Sequence, residues 1–183
     1  MTMRAIVEDL TPPVDLARDH WRGGELAAAT LVEYGDYECP HSRMAFRAIQ
    51  RLEQQLGGQL RFVFRHFPLT NIHPHALVAA HLAEAATLQG RFWPMHELLF
   101  AHQQALEDAD LWRYADQLGL DRGRLGVDLE GPTVSQRVQA DADSALESGA
   151  RGTPTLFING RRHLGGYDEA TLGSALATAS KER

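Results

Sequence analysis

The sequence predicts an α/β fold in which a βαβ unit and a ββα unit are separated by a long run of helices. Three observations indicate this fold class. A strand, helix and strand pattern occupies residues 29–67, a largely helical pattern follows, and a strand, a tight turn, a second strand and a helix close the chain. The first pattern is typical of a parallel βαβ unit. At 183 residues the chain suits one compact domain with a core of ordinary size.

The first unit consists of two apolar strands around one amphipathic helix. Residues 29–34, ATLVEY, are apolar and partly β-branched, which favours a buried strand. From Pro40 onward apolar residues recur at helical spacing until a Gly-Gly pair ends the helix. Residues 60–67, LRFVFRHF, predict the second strand, which a proline ends. Residues 1–28, with two prolines and two glycines as breakers, are expected to form an extended leader.

The middle of the chain has no convincing strand pattern. Its apolar periodicity predicts helices at residues 76–89, 92–106, 110–118 and 134–147. Residues 154–158 then predict a strand, Asn159-Gly160 is a strong hairpin signal, and residues 161–164 predict the returning strand. Residues 169–179 predict the closing helix.

Composition excludes several classes of protein. With 23% charged residues and a net charge of −6, the chain resembles neither a disordered tail nor a nucleic-acid-binding protein. Its single cysteine rules out an internal disulfide. No apolar run has the length of a signal peptide or a membrane span, so we expect a cytoplasmic protein that does not associate with membranes.

The cysteine stands where a strand gives way to a helix. Cys39 follows the first strand closely, and Pro40 falls in the first helical turn, where its missing N–H costs nothing. The sulfur is therefore expected to face free backbone N–H groups and the positive end of the helix dipole, both of which favour a thiolate. His41 adds an optional positive charge, and Ser42 is in a position to donate its hydroxyl hydrogen to the sulfur. These residues predict a nucleophilic thiol.

Two further features accompany this motif. Glu33 lies in an otherwise apolar strand shortly before Cys39, so an ionisable side chain is expected in the core behind the thiol. Burial raises the pKa of a carboxyl group, which would make Glu33 a proton acceptor or donor for the sulfur chemistry. The other feature is Thr153-Pro154, which places a proline at the start of a strand, where it is tolerated.

Together these motifs resemble the DsbA-like family of thiol:disulfide oxidoreductases, whose members have a thioredoxin fold with an inserted helical domain. Residues 33–41, EYGDYECPH, resemble the active-site strand and loop of that family, and Thr153-Pro154 resembles its cis-proline motif. Further similar stretches are residues 65–69 (RHFPL), 73–76 (HPHA) and 89–96 (QGRFWPMH).

The resemblance implies a division of the chain and a substrate surface. It implies one domain, with the thioredoxin core at about residues 28–68 and 150–180 and the helical insertion at about residues 69–149. It also implies that Pro154 is cis and lies against Cys39, and that the insertion forms a cap beside the thiol. Thr153 would then present its backbone to an extended substrate, with Pro40 in the same binding surface.

Ser42 departs from the family pattern, which has a second, resolving cysteine at this position. A single thiolate can still attack a disulfide, but an external thiol must then resolve the mixed disulfide. The sequence therefore predicts a monothiol oxidoreductase that acts on protein or small-molecule disulfides without a bound cofactor. Glutathione or another low-molecular-weight thiol would be the co-substrate. Cys39 is the predicted nucleophile, and Ser42, His41 and Glu33 assist it.

Three alternatives stay open. Kappa-class glutathione transferases and their isomerase relatives share the fold and place a serine at the active helix start, which would make Cys39 dispensable. A degenerate, non-catalytic member would bind extended polypeptide along the edge at Thr153-Pro154. Ser42 itself is either natural or an engineered replacement of a cysteine.

Other polar residues are assigned structural roles. Asp36 is expected to be a turn residue. The nine histidines, among them His73, His75, His96 and His102, form no Cys/His ligand spacing, so no metal site is predicted.

Overall fold

A computed structural model describes residues 9–182, in which one five-stranded mixed sheet is flanked by seven α-helices. The elements are β1 (His20–Gly23), β2 (Ala29–Gly35), α1 (Pro40–Leu56), β3 (Leu60–His66), α2 (Ala76–Thr87), α3 (Phe92–Ala101), α4 (Asp108–Gln117), α5 (Arg122–Glu130), α6 (Pro132–Glu147), β4 (Thr155–Ile158), β5 (Arg161–His163) and α7 (Glu169–Ala179). One turn of 3₁₀ helix, Gly57–Gln59, joins α1 to β3. The predicted thioredoxin-like α/β fold, with helices between its two halves, is confirmed.

The sheet has the strand order β1-β3-β2-β4-β5. β2 and β3 are parallel and in register along their whole length, so that Gly35 lies opposite His66. β4 runs antiparallel on the other side of β2, with Thr155 opposite Tyr34. The chain therefore leaves β2 and β3, and enters β4, at the same edge of the sheet. The candidate site lies at this edge.

Each face of the sheet has its own core, because side chains alternate along a strand. Leu31 packs into the larger core, which α1, α7 and the helices between the two halves of the fold cover. Val32 and Tyr34 pack into a smaller core on the opposite face, to which α6 contributes Ala145. Because a core covers each face of the sheet, the strand that carries Glu33 is buried on both faces.

Several boundaries differ from those predicted. The extended leader at residues 1–28 is wrong where the structure describes it, because His20–Gly23 forms edge strand β1 against β3; residues 1–8 lie outside the described range. This strand has no β-branched residue to signal it. The predicted helix at residues 92–106 ends at Ala101. Helix α5 was not predicted, because Gly123 and Gly126 interrupt its pattern.

The segment before β1 is fixed to the sheet by a buried arginine. The Arg65 side chain has no exposed surface and donates to both carboxylate oxygens of Asp19, at 2.9 and 2.8 Å. It also donates to the carbonyl oxygens of Pro12 and Pro13 and to the hydroxyl of Tyr34. Asp19 is itself fully buried, so the pair is isolated from water.

Within residues 9–182, no helix combines the length and the hydrophobicity that a membrane span requires.

We expect Arg65→Met to lower the free energy of unfolding by about 3–5 kcal/mol, because it leaves the Asp19 carboxylate buried without its partner. Urea unfolding followed by circular dichroism measures this loss. The double variant Arg65→Met/Asp19→Asn should recover part of it. Arg122→Met, which removes an exposed pair with Asp116, is the control and should cost less than about 1 kcal/mol. A loss below that level for Arg65→Met would contradict this account.

Candidate active site

Cys39 is the N-cap residue of α1, and Pro40 opens the helix. Its backbone is extended, with φ −76° and ψ 121°, and the residue is 4% exposed. The S–H group donates a hydrogen bond to the carbonyl oxygen of Thr153, with the sulfur 3.3 Å from that oxygen. The Thr153–Pro154 peptide bond is cis, as the resemblance implies. Two motifs that lie far apart in the sequence therefore meet at the sulfur.

Asp36 organises the loop between β2 and Cys39. Its carboxylate is buried and accepts hydrogen bonds from the backbone N–H of Glu38, at 2.8 Å, and of Leu69, at 2.9 Å. It also bonds Nδ1 of His73 at 2.8 Å, and its backbone carbonyl accepts from the N–H of Cys39. Asp36 is thus a turn residue, as expected, and it also ties the active-site loop to the segment that follows β3.

The helical insertion contacts the same loop from the other side. The Gln103 side chain, which lies after α3, donates from Nε2 to the carbonyl oxygens of Tyr37 and Cys39, at 2.8 Å each. A concavity of about 330 Å³ lies between the loop and the insertion, lined by Glu38, Pro40, His73, His75, Gln103, Gln104, Leu106 and Glu107. The insertion therefore lies beside the thiol, as predicted.

The Ser42 hydroxyl does not donate a hydrogen bond to the Cys39 sulfur, contrary to the expectation from the sequence. Its side chain is fully buried, and its Oγ accepts a hydrogen bond from the backbone N–H of Asp36 at 3.2 Å. Across residues 9–182, no hydrogen bond joins Ser42 to Cys39. The expected donation from the hydroxyl to the sulfur is therefore absent, because the Ser42 hydroxyl lies against the loop backbone.

His41 is exposed at the mouth of the site, as expected. Its Nδ1 forms a hydrogen bond with the hydroxyl of Tyr167, and the two rings meet edge to face. Tyr167 lies in the loop between β5 and α7, so this bond links the start of α1 to the far end of the sheet. The imidazole is held in place while one edge stays open to solvent.

Glu33 is a buried carboxyl group without a polar partner. It has no exposed surface, and neither of its oxygens has a hydrogen-bond partner among the described residues. Burial raises its pKa to about 8. A Cβ at Gly35 would lie 2.4 Å from Cε2 of Phe64 and 3.0 Å from Oε1 of Glu33, so only glycine fits beside the carboxyl group. The sequence-based prediction of a buried acid with a raised pKa agrees with this geometry.

A further cluster of buried polar side chains was not identified from the sequence. Nε2 of His20 and Nε2 of His66 lie 2.6 and 2.8 Å from Oε1 of Glu84. These donor atoms lie close enough together to hold a metal ion. The three residues are scattered along the chain and have no ligand spacing, so only the fold brings them together.

Comparison with known sequences places the chain in a family. The family profile described as Thioredoxin matches residues 15–177. The chain is 48% identical over 171 residues to Na(+)/H(+) antiporter NhaA 1 of Salinispora arenicola, covering 93% of this chain and 26% of that protein. It is 46% identical over 169 residues to NhaA 1 of Mycolicibacterium gilvum, covering 91% and 27%. The chain thus spans about a quarter of the length of the curated relatives it matches.

Solved structures share the fold over most of their length. A thioredoxin-like oxidoreductase from Silicibacter pomeroyi is 27% identical, with a TM-score of 0.80 over 90% of this chain and 93% of that one. BdbD from Bacillus subtilis has a TM-score of 0.81 at 20% identity, over 95% and 99%. The thiol-disulfide exchange protein alpha-DsbA2 from Wolbachia pipientis has a TM-score of 0.77 at 20% identity, over 92% and 89%.

The Silicibacter protein is described as a thioredoxin-like oxidoreductase and the Wolbachia protein as a thiol-disulfide exchange protein, which agrees with the resemblance that the active-site motifs carry. The profile covers most of the chain, and the sheet order and the cis-proline beside the helix-start cysteine fit it. The chain therefore belongs to the thioredoxin family.

Proposed function

We propose that this chain is a thiol-disulfide oxidoreductase in which Cys39 is the sole sulfur nucleophile. The observation that carries the proposal is the position of its sulfur at the N-terminus of α1, 3.3 Å from the Thr153 carbonyl oxygen beside a cis-proline. Free N–H groups of the first helical turn stabilise negative charge on the sulfur. A thiolate is the reactive form in exchange with disulfides.

Substrate binding would use the backbone at Thr153. An extended segment that pairs with this edge as an added strand would bring its disulfide to the sulfur. The Thr153 carbonyl accepts from the thiol in the resting protein. Ionisation of Cys39 removes that hydrogen bond and leaves the carbonyl oxygen free to accept from a substrate N–H. Pro40 and Pro154 would line the substrate-binding surface on either side of the Cys39 sulfur.

The reaction divides into two exchanges that balance. The Cys39 thiolate attacks one sulfur of a mixed disulfide between a client and glutathione, forms a bond to the glutathione sulfur and releases the client thiolate. A second glutathione thiolate then attacks the glutathione sulfur bound to Cys39, which yields glutathione disulfide and regenerates the Cys39 thiolate. The client sulfur is reduced to a thiol, one free glutathione is consumed, and glutathione disulfide is the oxidised product. No second protein sulfur takes part.

Glu33 would exchange protons with the Cys39 thiol during the reaction. Because its pKa is raised to about 8, the group holds a proton at neutral pH and releases it within the range in which thiols ionise. In its ionised form a buried acid of this kind can accept the proton of Cys39 before attack, and in its protonated form it can donate a proton later, most simply through water. We propose a cytoplasmic setting, because resolution by a small thiol needs a reducing thiol pool.

The burial of Ser42 bears on the transferase alternative. A serine that activates glutathione must reach the thiol of that molecule, whereas the Ser42 side chain is buried against the loop backbone. This supports Cys39 over Ser42 as the reacting group. The non-catalytic alternative uses the same edge at Thr153-Pro154 and is distinguished by turnover.

We expect the protein to reduce a glutathionylated peptide in the presence of glutathione, with turnover coupled to glutathione disulfide reductase and NADPH. Cys39→Ala should abolish turnover, whereas Ser42→Ala should change it less than about tenfold, because Ser42 acts on the loop and not on the sulfur. Turnover that persists in Cys39→Ala would favour the transferase. Peptide binding without turnover in either protein would favour the non-catalytic alternative.

We expect Ser42→Cys to form a disulfide with Cys39, because positions 39 and 42 lie one turn apart at a helix start and bridging needs little backbone movement. Thiol titration before and after mild oxidation measures it. The variant should also oxidise a reduced client that the parent protein only traps. Ser135→Cys, which adds an exposed thiol at the start of α6, is the matched control and should keep two titratable thiols. Two free thiols in oxidised Ser42→Cys would contradict the expectation.

We expect Glu33→Gln to remove a pH dependence of stability. The folded-state pKa is raised to about 8, so the Glu33 contribution is fully present below the unfolded-state pKa near 4.5 and is lost as the pH rises to about 8. The full loss is of order 5 kcal/mol. Urea unfolding at pH 5 and pH 8.5 should show a larger fall for the parent protein than for Glu33→Gln. Equal falls in the free energy of unfolding for the two proteins would contradict a raised pKa of Glu33 in the folded state.

A further inference from the structure

Three side chains from separate elements converge on the larger core, where the ring centroid of His66 lies 5.9 Å from that of Tyr37 in the active-site loop. His20 comes from edge strand β1, His66 ends β3, and Glu84 lies in α2. Their exposures are 9%, 0% and 5%. Both imidazole Nε2 atoms approach the same carboxylate oxygen, at 2.6 and 2.8 Å, and the donor atoms all lie within 4.8 Å of one another.

The negative charge of Glu84 is not balanced by an arginine, unlike the charges of two other buried carboxylates. Buried Asp19 has Arg65 as its partner, and buried Asp141 has Arg18 and Arg137. Glu84, by contrast, has only the two imidazoles as side-chain partners in the described part of the chain. Because a buried carboxylate without positive charge is costly, the cluster requires either a proton on an imidazole or a bound cation.

We propose that His20, His66 and Glu84 bind a divalent first-row transition-metal ion, with zinc as the reference ion. Two imidazole nitrogens and one carboxylate match the ligand preferences of Zn²⁺, and three protein ligands leave one position for water or for the second Glu84 oxygen. The site would hold β1 and α2 to the end of β3. This proposal does not depend on the thiol chemistry proposed above.

The orientation of one ligand side chain is fixed before an ion binds. The His20 ring is stacked on Phe92, with centroids 3.5 Å apart and planes 9° apart, so its orientation is fixed.

Metal binding would have to widen the cluster slightly. Ligand atoms around a tetrahedral ion with bonds of about 2.0–2.1 Å lie roughly 3.3 Å apart. The present separations of 2.6 and 2.8 Å are those of hydrogen bonds. Each imidazole would bind the ion through the Nε2 lone pair and carry its ring proton on Nδ1. The ion would thus replace both N–H···O hydrogen bonds and push the ligands apart by about half an ångström. Since His20 lies on an edge strand, β1 can move outward without breaking a strand pair on its other side.

The experiment uses the full chain without a polyhistidine tag and with Cys39→Ala, so that neither a tag nor the thiolate binds metal. Metal-stripped protein is titrated with Zn²⁺ in calorimetry and with Co²⁺ in visible absorption. We expect one ion per chain, and a rise of the unfolding temperature by about 5–10 °C at a zinc concentration 100 times Kd. Glu84→Gln keeps the size and a hydrogen-bond acceptor but should weaken zinc binding more than about 100-fold.

A matched control is His102→Ala, which removes an exposed histidine outside the cluster and should bind zinc like the parent. If Glu84→Gln fails to fold, His20→Gln provides a second test at the sheet edge and should show the same loss. Parent protein that binds no zinc and whose unfolding temperature zinc does not change would overturn the proposal and leave a proton-sharing cluster. Unchanged zinc affinity in both cluster variants would overturn it too.

Discussion

The parallel register of β2 on β3 is the constraint on which the site depends. Because Gly35 pairs with His66, both strands end at one edge, and the chain leaves them side by side. The Asp36 carboxylate can then bond both its own loop and the N–H of Leu69. A shift of one residue would reverse the face of every side chain in β2 and bring Glu33 to the other core. The position of the thiol, the buried acid and the attachment of the insertion all follow from this single pairing.

Buried carboxyl groups among residues 9–182 differ in their partners. Asp19 and Asp141 are paired with arginines, and their role is to attach the segment before β1 and helix α6 to the sheet. Glu33 has no such partner and lies on the strand that leads to Cys39. A group that served stability would be paired or replaced by an apolar side chain, because burial of a lone carboxyl group is unfavourable. Its retention next to the reactive loop is consistent with a role in proton transfer.

Local patterns predicted most of the fold, and long-range contacts account for the rest. The strands at 29–34 and 60–67, the hairpin at Asn159-Gly160 and the closing helix have strong periodic or turn signals. β1 was missed because a short edge strand forms through its pairing with β3 and not through its own composition. The helix-start position of Cys39, the burial of Glu33 and the cis bond before Pro154 were predictable from motif and resemblance. The Gln103 bonds and the orientation of Ser42 were not, since each depends on which backbone group the fold brings near.

The low exposure of Cys39, 4% for the whole residue, has a stereochemical consequence. In thiol-disulfide exchange the entering, central and departing sulfurs approach a straight line in the transition state. That line must reach the sulfur through the small part of the residue that solvent touches, between the start of α1, the cis-proline segment and the insertion. A disulfide on a small molecule or a protruding strand would meet this restriction more easily than one flush with the surface of a folded protein. The protein would therefore discriminate among disulfides by trajectory before it discriminates by redox potential.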